Sequence, residues 1–268
     1  MTAANAPAPD ENGWVAFRTA LEKSVGVPLS QYKEAQMKRR LASLMTRHAI
    51  ADWQAFAIAI RTNTALLSTV QDTLTINVSE FYRQADRFEE LATKTLPALI
   101  AQRKTLRIWS AGCSIGCEPY TLSMILNEID PAGAHKIIAT DVDMPILARA
   151  REGAGYLPAE VRAVPPHMLK RYFTADRDTY RVSDKLKRRV EFRRHDLLKD
   201  PYPKEIDLIL CRNVVIYFTE DAKRHIYAGF ASSLLAGGIL FVGGSEMLMR
   251  SNELGLRANG ASMYQKAA

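Results

Sequence analysis

From about residue 95 onward, strand-like apolar runs alternate with helical patterns, and this alternation constrains the fold more than any other feature of the sequence. "LRIWSAG" reads as a strand, "EPYTLSMILNEI" as a helix, "KIIATDV" as a strand and "MPILARARE" as a helix. "RVEFRRHDL" and "IDLILCRN" read as strands, "EDAKRHIYAGFASSLL" as a helix, and "GGILFVGG" and "SMYQK" as strands. Strands joined through helices predict an α/β domain with a mainly parallel sheet and helices on both of its faces. The alternation fails between 156 and 190, where Pro158, Pro165 and Pro166 precede a dense run of charge. That stretch, about 157–190, is expected to be an insertion.

Before the alternating region the period is helical. Trp14, Phe17, Leu21 and Val25 fall on one face of a helix that Gly26 and Pro28 stop. A second helix follows, with Ser30 as its expected N-cap and Met37, Leu41, Leu44 and Met45 as its apolar stripe. "DWQAFAIAIRTN" and "TALLSTVQDTLTI" predict two more. The expected organisation is a flexible tail over 1–12, a helical domain over 13–80, a linker helix over 81–95 and the α/β domain over 96–268.

Apolar residues make up 47% of the chain, enough for a sizeable core. No apolar run reaches the roughly 18–20 residues of a membrane span, and the N-terminal residues lack the basic and apolar segments of a signal peptide. Three cysteines without a paired framework suit a reducing compartment, so a cytoplasmic protein is expected. No His or Cys spacing suggests a metal site. The net charge of +7 is concentrated: residues 167–194 hold ten Lys/Arg against four acids, and residues 31–48 hold five against one. Both stretches are either solvated faces or docking surfaces for an acidic partner. Neither carries a groove-reading motif or the interleaved aromatics of a single-strand binder, so nucleic acid is not the expected partner.

The turn after the first α/β strand reads G-C-S-I-G-C-E, from Gly112 to Glu118. It is neither the dinucleotide fingerprint nor a P-loop. A carboxylate at this helix start either satisfies the helix dipole as a cap or meets a ligand. Toward a pyrophosphate it would be repulsive by roughly 4 kcal/mol at about 4 Å near a protein surface. A cationic, phosphate-free ligand fits better, and S-adenosylmethionine is one: it has an ammonium, a sulfonium and a ribose. Asp141, ending the second strand, is placed to accept ribose hydroxyls, or else to cap the next helix. Asp196 and Leu197 end the third strand, where an adenine edge would lie. "CRNVVIYF" ends the fourth, where a catalytic loop would sit.

"NVSEFYR" (77–83), "WSAGCSIGCEPYT" (109–121), "ATDVD" (139–143), "CRNVVIYF" (211–218) and "GGILFVGGSE" together resemble the chemotaxis receptor methyltransferase (CheR) family over about residues 14–266. The resemblance implies a Rossmann-like S-adenosylmethionine-dependent methyltransferase domain, an N-terminal all-helical domain and a small β-subdomain insertion. It implies methyl transfer to glutamate side chains of transmembrane chemoreceptors, with methyl esters and S-adenosylhomocysteine as products and no metal. Asn77, Ser79 and Arg83 would line the donor pocket. Gly112 would shape its loop, Glu118 would hold the ammonium, Asp141 the ribose, and Asp196 and Leu197 the adenine. Arg212 and Asn213 would stand at the mouth of the fourth strand, and Tyr217 near the transferred methyl. The chain departs from the family at Cys117, where a second Glu is usual, at Asp196, often Asn, and at Ser79, often Thr.

A glutamate with a reference pKa of about 4.3 is already ionised at neutral pH, so its methylation needs positioning and water exclusion rather than a base. Arg83 can clamp a carboxylate in two-point fashion; its alternative is an ion pair with Glu80 or Asp86. Tyr217 either meets the reacting group or packs in the core. Lys38, Arg39 and Arg40 are expected to dock the acidic cytoplasmic domain of the receptor. The short, Gly-free "TADRDTYRV" loop argues against capture of a receptor C-terminal pentapeptide, and a monomer is expected. "SEMLMR" (245–250) is expected to be core. Two other classes remain open: a methyltransferase acting on nucleic acid, suggested by a pI near 9.3, and a non-catalytic S-adenosylmethionine-binding regulator, suggested by Cys117.

Overall fold

The computed structural model describes residues 11–75 and 79–267. The chain forms two compact units, Met1–Ile76 with Tyr217–Ala222, and Asn77–Ile216 with Lys223–Ala268. In the first, α1 (Glu11–Val25), α2 (Glu34–Arg47), α3 (Trp53–Thr62) and α4 (Thr64–Thr75) enclose an apolar core. Its centre is aromatic. Trp14 meets Trp53 edge-on at 4.8 Å between ring centroids, and Phe17 stacks on Phe56 at 4.7 Å, the offset and edge-on geometries that ring quadrupoles favour. The α2 stripe of Met37, Leu41, Leu44 and Met45 is buried as its spacing predicts.

Ser30 is not the cap of α2. It lies in a short 3-10 turn, Leu29–Gln31, and the helix begins only at Glu34. Tyr32 explains the delay. It is extended, with φ −100° and ψ 152°, and bridges antiparallel to Phe218. Lys33 N–H donates to the Tyr217 carbonyl at 2.8 Å, and Thr219 N–H to the Gln31 carbonyl at 2.8 Å. A segment paired like a strand cannot also be helical, so the helix waits until the pairing ends.

The second unit is built on a sheet. Its strands in chain order are β1 (Arg107–Ala111), β2 (Lys136–Asp141), the separate pair β3 (Phe173–Asp176) and β4 (Thr179–Val182), then β5 (Val190–Arg194), β6 (Ile206–Cys211), β7 (Leu234–Val242), β8 (Leu256–Ala258) and β9 (Met263–Lys266). Among the described residues the main sheet has seven strands in the order β5-β2-β1-β6-β7-β9-β8. The first five in that order pair in parallel, and β9 runs antiparallel to both β7 and β8. Every residue of β6 is buried, the pattern of a central parallel strand covered on both sides. The order reverses between β1 and β6, which creates a crevice at their carboxyl ends.

The linker helix expected over 81–95 differs in extent. Helix α5 (Ala85–Glu90) passes through a π-turn at Leu91–Thr95 into α6 (Leu96–Arg103). Pro97 has no N–H for the carbonyl four residues back, and a widened turn just before it lets the helix continue. Helices α7 (Cys117–Ile129) and α8 (Met144–Glu152) follow β1 and β2, and α12 (Glu220–Ser233) precedes β7.

Residues 157–190 form α9 (Pro158–Val161), α10 (Pro166–Tyr172), the β3–β4 hairpin and α11 (Asp184–Lys187). This segment shares its core with the sheet: Val161, Tyr172, Phe173, Val182 and Leu186 belong to the same buried cluster as Ile108, Leu208 and Phe241. Phe81 meets Tyr156 and Phe173 edge-on at 4.9 and 5.0 Å. In the basic stretch 167–194, Arg171 pairs with Glu128, Arg193 with Glu191 and Arg194 with Asp200. No helix among the described residues is long and apolar enough to cross a membrane.

Asp52 caps α3, its Oδ1 accepting from Ala55 N–H at 2.7 Å. Asp52→Ala is expected to cost about 1 kcal/mol, the usual worth of an N-cap. A lowered urea midpoint read by tryptophan fluorescence checks this.

Candidate functional site

The loop between β1 and α7 is shaped by residues that no ordinary side chain could replace cheaply. Gly112 has φ +79°, and a Cβ there would lie 2.5 Å from Val214 Cγ2, so the loops after β1 and β6 meet in contact. Four of the loop amides are already committed. Gly112 and Cys113 N–H donate to the Thr140 carbonyl at 2.8 and 2.9 Å, and Gly116 N–H to the Cys113 carbonyl at 3.0 Å. Ser114 N–H donates to Asp141 Oδ2 at 2.9 Å. Glycine-rich loops that bind phosphate keep these amides for the ligand; here the protein's own oxygens take them.

Gly116 stands at the N-cap of α7 without a side-chain cap. Glu118, in the first turn, faces inward rather than capping. Ser110 Oγ donates to its Oε1 at 2.7 Å, and Arg212 Nη1 lies 3.5 Å from its Oε2. Burial raises the Glu118 pKa, against the opposing influence of Arg212 and Ser110. Arg212 in turn is anchored through both terminal nitrogens and the faces of its guanidinium. Its Nη2 donates to the Arg83 carbonyl at 2.6 Å and to Gln84 Oε1 at 2.8 Å. Its guanidinium lies 4.7 Å from both the Phe88 and the Phe241 rings, a cation between two π-faces.

Asp141 ends β2. Its Oδ2 accepts from Ser114 and its Oδ1 from Asp143 N–H at 3.1 Å, and burial raises its pKa. The cap of α8 is Asp143, whose Oδ1 accepts from Ile146 N–H, so Asp141 is left for the crevice. His195 N–H donates to the Asp141 carbonyl at 2.9 Å, which ties the end of β2 to the segment after β5. There Asp196 is buried. Its Oδ1 accepts from Leu198 N–H at 2.9 Å, while Oδ2 is buried without a partner among the described residues. Leu197 is buried and its carbonyl accepts from the Tyr202 hydroxyl at 2.6 Å.

Asn213, just beyond β6, is left-handed with φ +61°, and its Oδ1 is also buried and unpartnered. Its N–H and that of Gly243 donate to Glu246 Oε2 at 2.6 and 2.7 Å, and Val214 N–H donates to Oε1 at 2.9 Å.

Gly112, Glu118, Asp141, Asp196, Leu197, Arg212 and Asn213 therefore gather at the carboxyl ends of β1, β2, β5 and β6. Ser79 stands beside the buried Cys117 thiol, whose pKa burial raises against the influence of Ser79. Arg83 joins them through its carbonyl. Of the two acids weighed as Arg83 partners, Glu80 pairs with Arg162 at 2.8 Å and Asp86 with Arg87 at 3.5 Å. Asn77 lies outside the described residues. Tyr217 belongs to the helical unit, where the Arg40 guanidinium stands 4.9 Å from its ring. In the same unit Lys38 pairs with Glu34 at 2.8 Å and lies 5.2 Å from the Trp14 ring, and Arg39 is exposed.

Ser110, Gln84 and Glu246 are site residues that sequence reasoning missed. Ser110 was visible as the polar residue in an apolar strand, and Glu246 as an acid following Gly-Gly after a buried strand. The expectation that "SEMLMR" is core is corrected: Leu248 is buried, but Met247 and Met249 are 77% and 84% exposed. Backbone contacts at Glu246 and a hydrogen bond from Leu248 N–H to the Tyr264 hydroxyl at 3.0 Å pin alternate residues inward and turn the methionines out.

A parallel sheet with acids at its strand tips, and with loop amides held by protein oxygens, is consistent with an S-adenosylmethionine-dependent methyltransferase. Residues 77–262 match the family model described as CheR methyltransferase, SAM binding domain, and residues 12–75 match CheR methyltransferase, all-alpha domain. The chain is 38% identical over 257 residues to the chemotaxis protein methyltransferase of Listeria monocytogenes, covering 96% of this chain and 98% of that protein. It is 36% identical over 260 residues to chemotaxis protein methyltransferase 1 of Pseudomonas aeruginosa, covering 92% of each. The chain belongs to the CheR methyltransferase family.

Arg212→Leu would keep an apolar side chain between Phe88 and Phe241 but leave the half-buried Glu118 carboxylate without its cation, held by the Ser110 hydroxyl. Breaking such a pair costs about 3–5 kcal/mol. The Glu118 pKa, already raised by burial, would rise further. The cost is therefore largest above that raised pKa and shrinks as pH falls through it, because the neutral carboxyl needs no cation. Denaturant melts of both proteins from neutral to acid pH should show the two stabilities converge.

Proposed function

We propose that this chain transfers the methyl group of S-adenosylmethionine to glutamate side chains in the cytoplasmic domain of chemoreceptors, the methyl-accepting chemotaxis proteins. The products are glutamyl methyl esters and S-adenosylhomocysteine, and the role is sensory adaptation in the cytoplasm. The observation that carries the donor assignment is the commitment of the β1–α7 loop amides to protein oxygens beside inward-facing carboxylates. The receptor assignment is supported by family membership and by the names of the relatives.

The residues fit the donor. Asp196 Oδ2 is a buried acceptor with no partner, suited to an adenine amino group. Asp141 ends β2 with each oxygen holding one amide, which fixes the carboxylate while leaving lone pairs for ribose hydroxyls. Glu118 suits the ammonium: Arg212 balances its charge from within, and the carboxylate keeps acceptor capacity for a second cation. Asn77, Ser79, Gly112, Leu197 and Asn213 would complete the pocket. When bound, S-adenosylmethionine supplies an electrophilic methyl on a sulfonium.

No residue needs to act as a base, because the receptor carboxylate arrives ionised. Arg83 orients that carboxylate through its planar fork, and Tyr217 hydrogen-bonds it or shields the methyl from water. Both work by placing reactants and excluding solvent. Arg39 is the exposed member of the basic Lys38–Arg40 stretch and steers the acidic receptor helix toward the site.

Incubation with methyl-tritiated S-adenosylmethionine and receptor-containing membranes should label protein, and alkali should release the label as volatile methanol. Alkali-stable label, or label in nucleic acid, would overturn the assignment. Asp141→Ala should weaken donor binding by at least about tenfold in calorimetry, the worth of a lost charged hydrogen bond.

Arg39→Glu should slow receptor methylation several-fold at low salt and less at high salt, where screening removes the steering. Its affinity for S-adenosylmethionine should match the wild type. Unaltered receptor turnover at low salt would remove Arg39 from the docking surface.

A further inference from the structure

We propose that Glu246 is a positioning residue for donor binding: its carboxylate staples the loop after β7 to the loop after β6 and holds Asn213 in the conformation that meets the donor. The inference rests on the reading of this crevice as the S-adenosylmethionine pocket.

Glu246 is 4% exposed, a placement that is costly for a carboxylate unless its charge is met. It is met by main-chain amides. Asn213 and Gly243 N–H converge on Oε2 at 2.6 and 2.7 Å, and Val214 N–H reaches Oε1 at 2.9 Å. These are short, charge-assisted bonds. Successive amides around a left-handed residue form a concave anion nest, and here the anion that fills it is the protein's own.

Two further features depend on this arrangement. Asn213 sits at φ +61°, a left-handed conformation that Asn enters more readily than most side chains and that the hydrogen bond from its N–H to Glu246 holds in place. With its N–H tied to Glu246, Asn213 keeps its Oδ1 buried and unpartnered, an acceptor left for a ligand. Gly243 explains how the carboxylate gets so close. A Cβ at that position would lie 2.3 Å from Glu246 Oε2 and 3.0 Å from the Asn213 nitrogen. The same staple fixes the start of the loop at Arg212, the partner of Glu118. One carboxylate that touches no reactant thereby sets the geometry of two residues that line the pocket.

Calorimetric titration of the purified full chain with S-adenosylmethionine tests this, run well below each variant's melting temperature. Glu246→Gln keeps the side-chain shape but turns an N–H group toward the converging amides. It should raise the Kd on the order of tenfold to a hundredfold, the range expected when buried amides lose their acceptor. Gly243→Ala leaves Glu246 in place but displaces its carboxylate, and should raise the Kd similarly, which covers the case in which Glu246→Gln fails to fold. If Glu246 acts through Asn213, the effects of Glu246→Gln and Asn213→Ala should not add in the double variant. A Kd unchanged in both single variants, with only the melting temperature lowered, would reduce Glu246 to a structural role and overturn the proposal. So would full additivity with Asn213→Ala. Failure of the wild-type chain to bind S-adenosylmethionine would instead overturn the pocket reading on which the proposal stands.

Discussion

A carboxylate inside a protein needs a partner, and the arrangement around Glu118 follows from that requirement. Arg212 stands 3.5 Å away, but a buried guanidinium has needs of its own. The Arg83 carbonyl, Gln84 Oε1 and two aromatic faces meet part of them, while Nε is buried without a partner among the described residues. The segment at 79–88, the end of β6 and the first turn of α7 are thereby locked together by one charge pair. Desolvation makes such pairs poor sources of stability but intolerant of losing either member. They therefore specify geometry more than they add to folding free energy.

The same logic explains why a glycine-bearing strand–turn–helix is not a phosphate site here. Phosphate loops present free amides and a helix N-terminus to an anion. In this chain Thr140, Asp141 and Cys113 oxygens take the amides, and Glu118 stands in the first helical turn. The crevice is left rich in acceptors: Asp141, Asp196 Oδ2 and Asn213 Oδ1. Acceptors select donors and cations, which describes the amino group, hydroxyls and ammonium of an adenosyl sulfonium compound.

Much of this was legible in the sequence because strand-tip residues follow directly from strand boundaries. Once "LRIWSAG", "KIIATDV" and "IDLILCRN" read as strands, Asp141, Arg212 and Asn213 fall at their ends and Glu118 at the start of the helix after the first. What escaped was whatever depends on contacts distant in the chain. Ser110 meets Glu118 because a strand residue points toward the helix that follows it. Glu246 meets Asn213 from 33 residues away. Tyr217 reads in sequence as the tail of the β6 run, yet its segment packs with the helical unit, and strand-like pairing with residues 31–33 moved the start of α2 from Ser30 to Glu34. Local propensity cannot register pairings of that range.

The hairpin segment between α8 and β5 has no interior separate from the sheet's. Phe81, Tyr156 and Phe173 interlock edge to face across it, so excising it would unroof the aromatic layer beneath and strand apolar rings in water. The hairpin tip at Arg177–Asp178, where both side chains are exposed, is detached from that layer. Grafts or length changes are tolerated best at such tips, which makes this turn the place where a recognition loop of a different reach could be spliced without disturbing the catalytic body.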